Sequence, residues 1–214
     1  MTAFDSALNI RKYREARDET VSRKVIGKVL EAGRHAPSPQ NIQSLEFIAV
    51  EDDSLLEYLS EETGDHRIEE SPTAILLVSD LPRMKRRLGS AQGEIAARNE
   101  AACAVQNMRL VATENDLCSI WVSGFDEEAV SDEFSVPGGK LVTSVIALAY
   151  SDNPVPQDEK FRMNQTTFYD SYGNQIGSVF DGLSWDGLRD ESRVYGKKGN
   201  GLVDKLKRKI RKVL

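Results

Sequence analysis

The run Ala74–Ser79, A-I-L-L-V-S, is almost continuously apolar and lies between Pro72 and Pro82. A run of that length, bounded by residues that break regular structure, fits a central strand rather than a half-exposed one. The second strong constraint is Glu94–Asn115, the longest helical pattern, rich in alanine, with Ile95, Ala101, Val105, Met108 and Val111 among its apolar positions. Apolar side chains spread around much of its circumference, which predicts a helix buried on more than one side. A central helix of a monomer and one in a subunit interface both carry this pattern.

The remaining elements follow from shorter signals. Asp5 is placed to cap a short helix reaching Ile10. Thr20–His35 carries Val21, Val25, Ile26, Val29 and Leu30 at helical spacing and stops before Pro37. Leu45–Val50 reads as a strand, Ser54–Ser60 as a short helix, Cys118–Ser123 as a strand ended by Gly124, and Asp126–Ser131 as a short helix. Val136-Pro137-Gly138-Gly139 is a turn, Leu141–Tyr150 is a strand, and Pro154 and Pro156 close the compact region. Strands and helices mix without regular alternation, so an α+β architecture is expected instead of a doubly wound sheet.

Between the first long helix and the Leu45 strand runs A-P-S-P-Q-N-I-Q at 36–43. Its prolines stiffen the loop, and Gln40, Asn41 and Gln43 offer amide donors and acceptors suited to the edge of a flat heterocycle. An ordinary polar turn has the same composition.

Most familiar catalytic chemistry is missing. The 214 residues include two histidines, His35 and His66, and two cysteines, Cys103 and Cys118. No metal set is expected, because no Cys/His group has zinc spacing, and no H-E-x-x-H, G-x-S-x-G or G-x-G-x-x-G occurs. Both histidines read as surface or loop residues. Both cysteines read as buried thiols, one in a helix and one in a strand, which suits a reducing, cytoplasmic setting. No run of apolar residues is long enough for a membrane span, and the N-terminus lacks a secretory pattern. Side chains so poorly equipped for hydrolysis point to a bound cofactor.

Charge is unevenly distributed. Six Lys/Arg against Asp204 give residues 202–214 a charge of +5, and subtracting that from the chain's −6 leaves −11 on the rest. An acidic body argues against nucleic acid as a partner. In the tail, Leu202, Val203, Leu206, Ile210, Val213 and Leu214 share one face if 201–214 is helical. Such a basic amphipathic helix suits peripheral contact with an anionic membrane, docking on the acidic body or a second subunit, or disorder. From 163 to 200, Gly, Asn, Ser and Asp surround isolated aromatics, which reads as an extended arm packing on the body or a partner subunit.

Taken in order, I-R-K-Y-R at 10–14, A-P-S-P-Q-N-I-Q at 36–43, S-P-T-A-I-L-L-V-S-D at 71–80, the alanine-rich helix, W-V-S-G-F-D at 121–126, V-P-G-G at 136–139, A-L-A-Y at 147–150 and K-F-R at 160–162 resemble the FMN-dependent nitroreductase family. The resemblance implies an FMN-binding domain over 1–162. It further implies a three-layer α+β fold, with a mostly antiparallel central sheet flanked by helices, built as an intertwined homodimer. It implies FMN as cofactor, NAD(P)H as reductant, and ping-pong hydride transfer through flavin N5 to a nitroaromatic, quinone or similar small-molecule acceptor.

By the same resemblance, Arg11 faces the flavin pyrimidine edge, where a guanidinium would stabilise the charge of the reduced ring. Pro37, Ser38, Pro39 and Asn41 match the loop that reaches the other subunit's flavin. Ser123 and Gly124 match the strand end near N5 and O4. Lys160 and Arg162 match the cations on the FMN phosphate, Arg67 a basic residue near the pyrimidine ring. Asn9 stands in the N-terminal phosphate-binding run. Arg11 and Gly124 are the expected catalytic positions. The chain departs from the family at Ala7-Leu8-Asn9, where Arg-Arg-Ser or Arg-His-Ser is usual, and at Ser44-Leu45 and Ala149. Divergent flavin chemistry, such as dehalogenation or flavin cleavage, and a non-catalytic binding protein that has lost the cofactor are the alternatives.

Overall fold

A computed structural model describes residues 2–161, 163–168 and 170–174. The chain divides into two units, Met1–Gln157 and Asp158–Leu214. The first contains α1 (Ala3–Leu8), β1 (Arg11–Lys12), α2 (Arg23–Arg34), β2 (Leu45–Val50), α3 (Asp53–Thr63), β3 (Thr73–Asp80), α4 (Leu81–Leu88), α5 (Ser90–Glu114), β4 (Cys118–Val122), α6 (Glu127–Glu133), β5 (Lys140–Ala149) and β6 (Val155–Pro156).

β2-β3-β5-β4 form an antiparallel sheet, in that order. β3 is buried at every position, as its unbroken apolar run predicts for a central strand. Its successive side chains point to opposite faces. Leu76 and Val78 pack with Val145, Ala147 and Ile120 against Leu56 and Leu59 of α3 and Val130 of α6. Ile75 and Leu77 pack with Ile146 and Leu148 against Ile26 and Val29 of α2 and Ala101, Ala104, Val105 and Met108 of α5. The result is three layers, helices on both sides of one sheet, and the α+β class is the observed one.

Several boundaries differ from the sequence expectation. Thr2, not Asp5, caps α1, which ends at Leu8; Asp5 is the third helical residue and returns a bond to Thr2, completing a capping box. α2 begins at Arg23 because Ser22 supplies the cap, so Val21 is buried ahead of the helix. α3 runs longer than expected, from its Asp52 cap to Gly64 at φ 67. α4 was not anticipated: Asp80 caps it through the Arg83 N–H, and Pro82 sits in its first turn. α5 starts at Ser90; its buried residues Gly93, Ala97, Glu100, Ala101, Ala104, Val105, Met108 and Ala112 share one face, and in the last turns burial spreads round to Thr113, with 109–111 partly buried. Ile95 is 58% exposed, and Cys103 is exposed rather than buried, because each lies off that face. Pro156 does not end regular structure; it pairs with Arg11, and Val155 pairs with Lys12, in a second small sheet.

In the second unit, a short helix α7 (Met163–Thr166) precedes Phe168 and Tyr172, whose rings lie 4.6 Å apart at 44°. Arg162, the arm beyond 174 and the 201–214 tail lie outside the described residues. Among the described residues no helix is long and apolar enough to cross a membrane.

Candidate functional site

The β1–β6 ladder fixes Arg11 at the rim of a cleft of about 390 Å³, lined among others by Asn9, Cys118, Tyr150, Ser151 and Pro154. Asn9 is the C-cap of α1: its backbone N–H donates to the Asp5 and Ser6 carbonyls, and its side-chain amide donates to the Asp5 carbonyl at 2.7 Å. That leaves the Asn9 side-chain oxygen as one acceptor in this cleft, which Asp116 also lines. Arg17 also lines the cleft, but its charge is answered by Glu19 at 2.8 Å and Asp152 at 3.4 Å, and it lies over the Tyr150 ring. Arg11 makes no ion pair among the described residues. Its charge acts on Cys118, whose thiol burial pushes up and Arg11 pulls down. An unpaired guanidinium at the mouth of a mixed cleft is suited to a negatively charged ring edge.

Two residues along, Tyr13 is fully buried and donates to the Arg67 carbonyl at 3.1 Å. Burial is the main cause that holds its hydroxyl well above the usual tyrosine range. The Arg67 side chain turns to Asp65, with Nε donating at 2.7 Å, and this bond holds the Asp65 carboxyl below its usual value. Arg67 is therefore paired and does not line the Arg11 cleft.

The 37–44 loop is held by side-chain hydrogen bonds at several points. Pro39–Asn41 form a single 3₁₀ turn, and Gln40, Asn41 and Gln43 have φ of 51°, 55° and 55°. Non-glycine residues in that region carry strain that surrounding structure must hold. Here Ser38 Oγ accepts from the Gln43 N–H at 2.8 Å, and Arg83 donates to the Gln43 carbonyl at 2.7 Å. Buried Ser44 donates through both N–H and Oγ to the Glu100 carboxylate, which is itself buried on α5. The loop opens on a cavity of about 700 Å³ lined by Gln40, Asn41, Ile42, Arg83, Arg86 and Arg87.

At the end of β4, Ser123 and Gly124 are exposed, and Gly124 has φ 100°. A Cβ there would meet nothing within 4 Å, so conformation rather than space requires the glycine.

Within one protomer the structure brings Asn9 and Arg11 together in one cleft and sets Asn41 in another. Pro37, Ser38 and Pro39 shape the loop without lining either cavity, and Ser123 and Gly124 lie outside both. Lys160 is exposed and belongs to the second unit, and Arg162 lies outside the described residues. Cys118, Tyr150, Glu100 and the α4 arginines were not anticipated. The run L-P-R-M-K-R-R-L, with four cations and no acid, was the available signal for the arginines.

The family model for the nitroreductase family matches residues 10–70 and 60–150, more than half of the chain. The chain belongs to the nitroreductase family. A relative from Archaeoglobus fulgidus, provisionally named an NADH dehydrogenase/NAD(P)H nitroreductase, is 28% identical over 155 residues, covering 70% of this chain and 83% of that protein. A Thermus thermophilus NADH dehydrogenase is 25% identical over 178 residues, covering 70% and 87%. Among solved structures, an FMN-dependent nitroreductase from Clostridium difficile superposes with TM-score 0.67 at 22% identity, over 79% of this chain and 99% of that one. The NADPH:FMN oxidoreductase of Vibrio harveyi, solved with NAD+, gives 0.71 at 15% identity, over 87% and 81%. The fold is thus that of nitroreductases, and the chain is an oxidoreductase of that family.

Proposed function

We propose that the chain is an FMN-dependent oxidoreductase that uses NAD(P)H to reduce a nitroaromatic, quinone or similar small acceptor. The observation that carries this reading is Arg11, unpaired at the mouth of a cleft whose walls carry polar groups and the Tyr150 ring. Names of relatives support it: one neighbour of the same fold is an FMN-dependent nitroreductase, another an NADPH:FMN oxidoreductase.

The donor set fits a flavin. Arg11 would hold the pyrimidine edge, and Asn9 would accept from the cofactor at the same wall. Ser123 and Gly124, which line neither cavity, would offer backbone to the ring, with open space around Gly124. Asn41, on a loop pinned through Ser44 to Glu100, would reach the flavin of a second protomer. The separation of the two cavities within one chain favours such pairing. Lys160 and Arg162 would answer the phosphate. FMN, when bound, would supply the hydride chemistry that links NAD(P)H to the acceptor. The chain's own contribution is to stabilise negative charge at Arg11.

A non-catalytic binding protein is the second reading, favoured by Ala7 in place of the usual first arginine. Loss of one charged hydrogen bond weakens binding by roughly tenfold or more. Adding NADH or NADPH without oxygen to the FMN-loaded protein separates the two. The oxidoreductase bleaches the flavin's visible band and regains it with a quinone or nitroaromatic. An unbleached flavin contradicts the proposal.

A further inference from the structure

We propose that the cavity between the 37–43 loop and α4 binds the 2′-phosphate of a nicotinamide dinucleotide, so that the protein prefers NADPH to NADH. This rests on the NAD(P)H reading above and adds the choice between the two reductants. α4 carries Arg83, Lys85, Arg86 and Arg87 without an acidic residue, on a chain whose net charge is −6. Two of these cations are already engaged: Arg83 with Asp80 at 3.2 Å and the Gln43 carbonyl, and Lys85 with Glu94 at 3.0 Å. Arg86 and Arg87 make no ion pair or hydrogen bond among the described residues, and both line the cavity.

The facing wall offers donors. Asn41 Oδ1 is occupied by the Gln43 side-chain amide at 2.9 Å, which leaves the Asn41 amide N–H groups for a ligand. Two guanidinium groups and an amide that line one space have the donor chemistry of an anion site. Guanidinium matches a phosphate with paired, charge-assisted bonds better than it matches a lone chloride. The volume, about 700 Å³, is that of a nucleotide-sized ligand rather than a bare ion. The loop wall is held in its strained shape before any ligand arrives, through Ser38, Glu100 and Arg83, so little order remains to be gained on binding. A local positive patch on an acidic body also draws an anionic dinucleotide to this face.

The test is direct binding of adenosine 2′,5′-bisphosphate, adenosine 5′-monophosphate and inorganic phosphate, measured by calorimetry on the full chain. The bisphosphate is expected to bind at least tenfold more tightly than the monophosphate and than inorganic phosphate. R86Q/R87Q is expected to remove that preference, while R23Q/K24Q, which removes two exposed cations from α2, keeps it. Equal binding of the two nucleotides, phosphate binding as tight as the bisphosphate, or a preference that survives R86Q/R87Q would overturn the proposal. The visible flavin band of the FMN-loaded samples is read separately. Bleaching by both reductants with no bisphosphate preference fails the site alone. A bisphosphate preference in a protein that holds no flavin fails the oxidoreductase reading alone.

Discussion

Arg11 shares its cleft with the Asp116 carboxylate but makes no ion pair with it or with any other described residue, whereas Arg17 and Arg67 are already paired. Among the described residues that line this cleft, Arg11 is the cation without an ion pair. Arg11→Ala is expected to slow flavin reduction by NAD(P)H by about tenfold or more, as loss of one preorganised charge contact does; stopped-flow absorbance reads this, and an unchanged rate assigns Arg11 no role. Asp65 illustrates the opposite use of an arginine. Its carboxyl is held below the ordinary value by Arg67, so the folded state binds its proton less readily than the unfolded one. The pair's contribution is present above about pH 4, the ordinary Asp range, and is lost as pH falls through the lowered value. Asp65→Asn is expected to lower the melting temperature at neutral pH, and the gap from wild type should close in acid. A gap that stays constant down to strong acid contradicts this linkage.

At the scale of elements, glycines give opposite expectations for the same substitution. Gly93 lets α5 cross α4 closely: a Cβ there would lie 2.6 Å from Lys85 Cα and 2.7 Å from its N, both backbone atoms that cannot step aside. Gly93→Ala is expected to destabilise by about 1–3 kcal/mol. Gly27, inside α2, has nothing within 4 Å of the added carbon. Gly27→Ala is expected to stabilise by about 0.5–1 kcal/mol. Urea titrations check both signs. The sequence carried some elements to the residue and others not at all. β2 was legible as Leu45–Val50 because an apolar run began where a polar loop ended. α4 was hidden because Pro82 reads as the end of a strand, while Leu81, Met84 and Leu88 are too few to mark a helix among four cations. The exposure of Cys103 was also hidden, since alanines around it give α5 no sharp polar face. In the site, Arg11 was legible through its I-R-K-Y-R setting. The Ser44–Glu100 anchor joins residues 56 apart in the chain, and Cys118 and Tyr150 reach the Arg11 cleft by tertiary packing, so no local pattern encodes them.

For the whole molecule, three layers place the Arg11 cleft and the loop cavity apart within one protomer. A flavin touched by both Arg11 and Asn41 then needs two chains. Trp121, 41% exposed, and Ile95, 58% exposed, leave apolar surface for such a contact. Sedimentation is expected to give the mass of a dimer, and a protomer that stays single at working concentration contradicts the pairing. The measurement that bears most directly on the account is a titration of flavin-free protein with FMN, followed by quenching of flavin fluorescence. The account predicts saturable quenching that reaches its end point at one FMN per protomer. Flavin that keeps its free fluorescence at every protein concentration would contradict it.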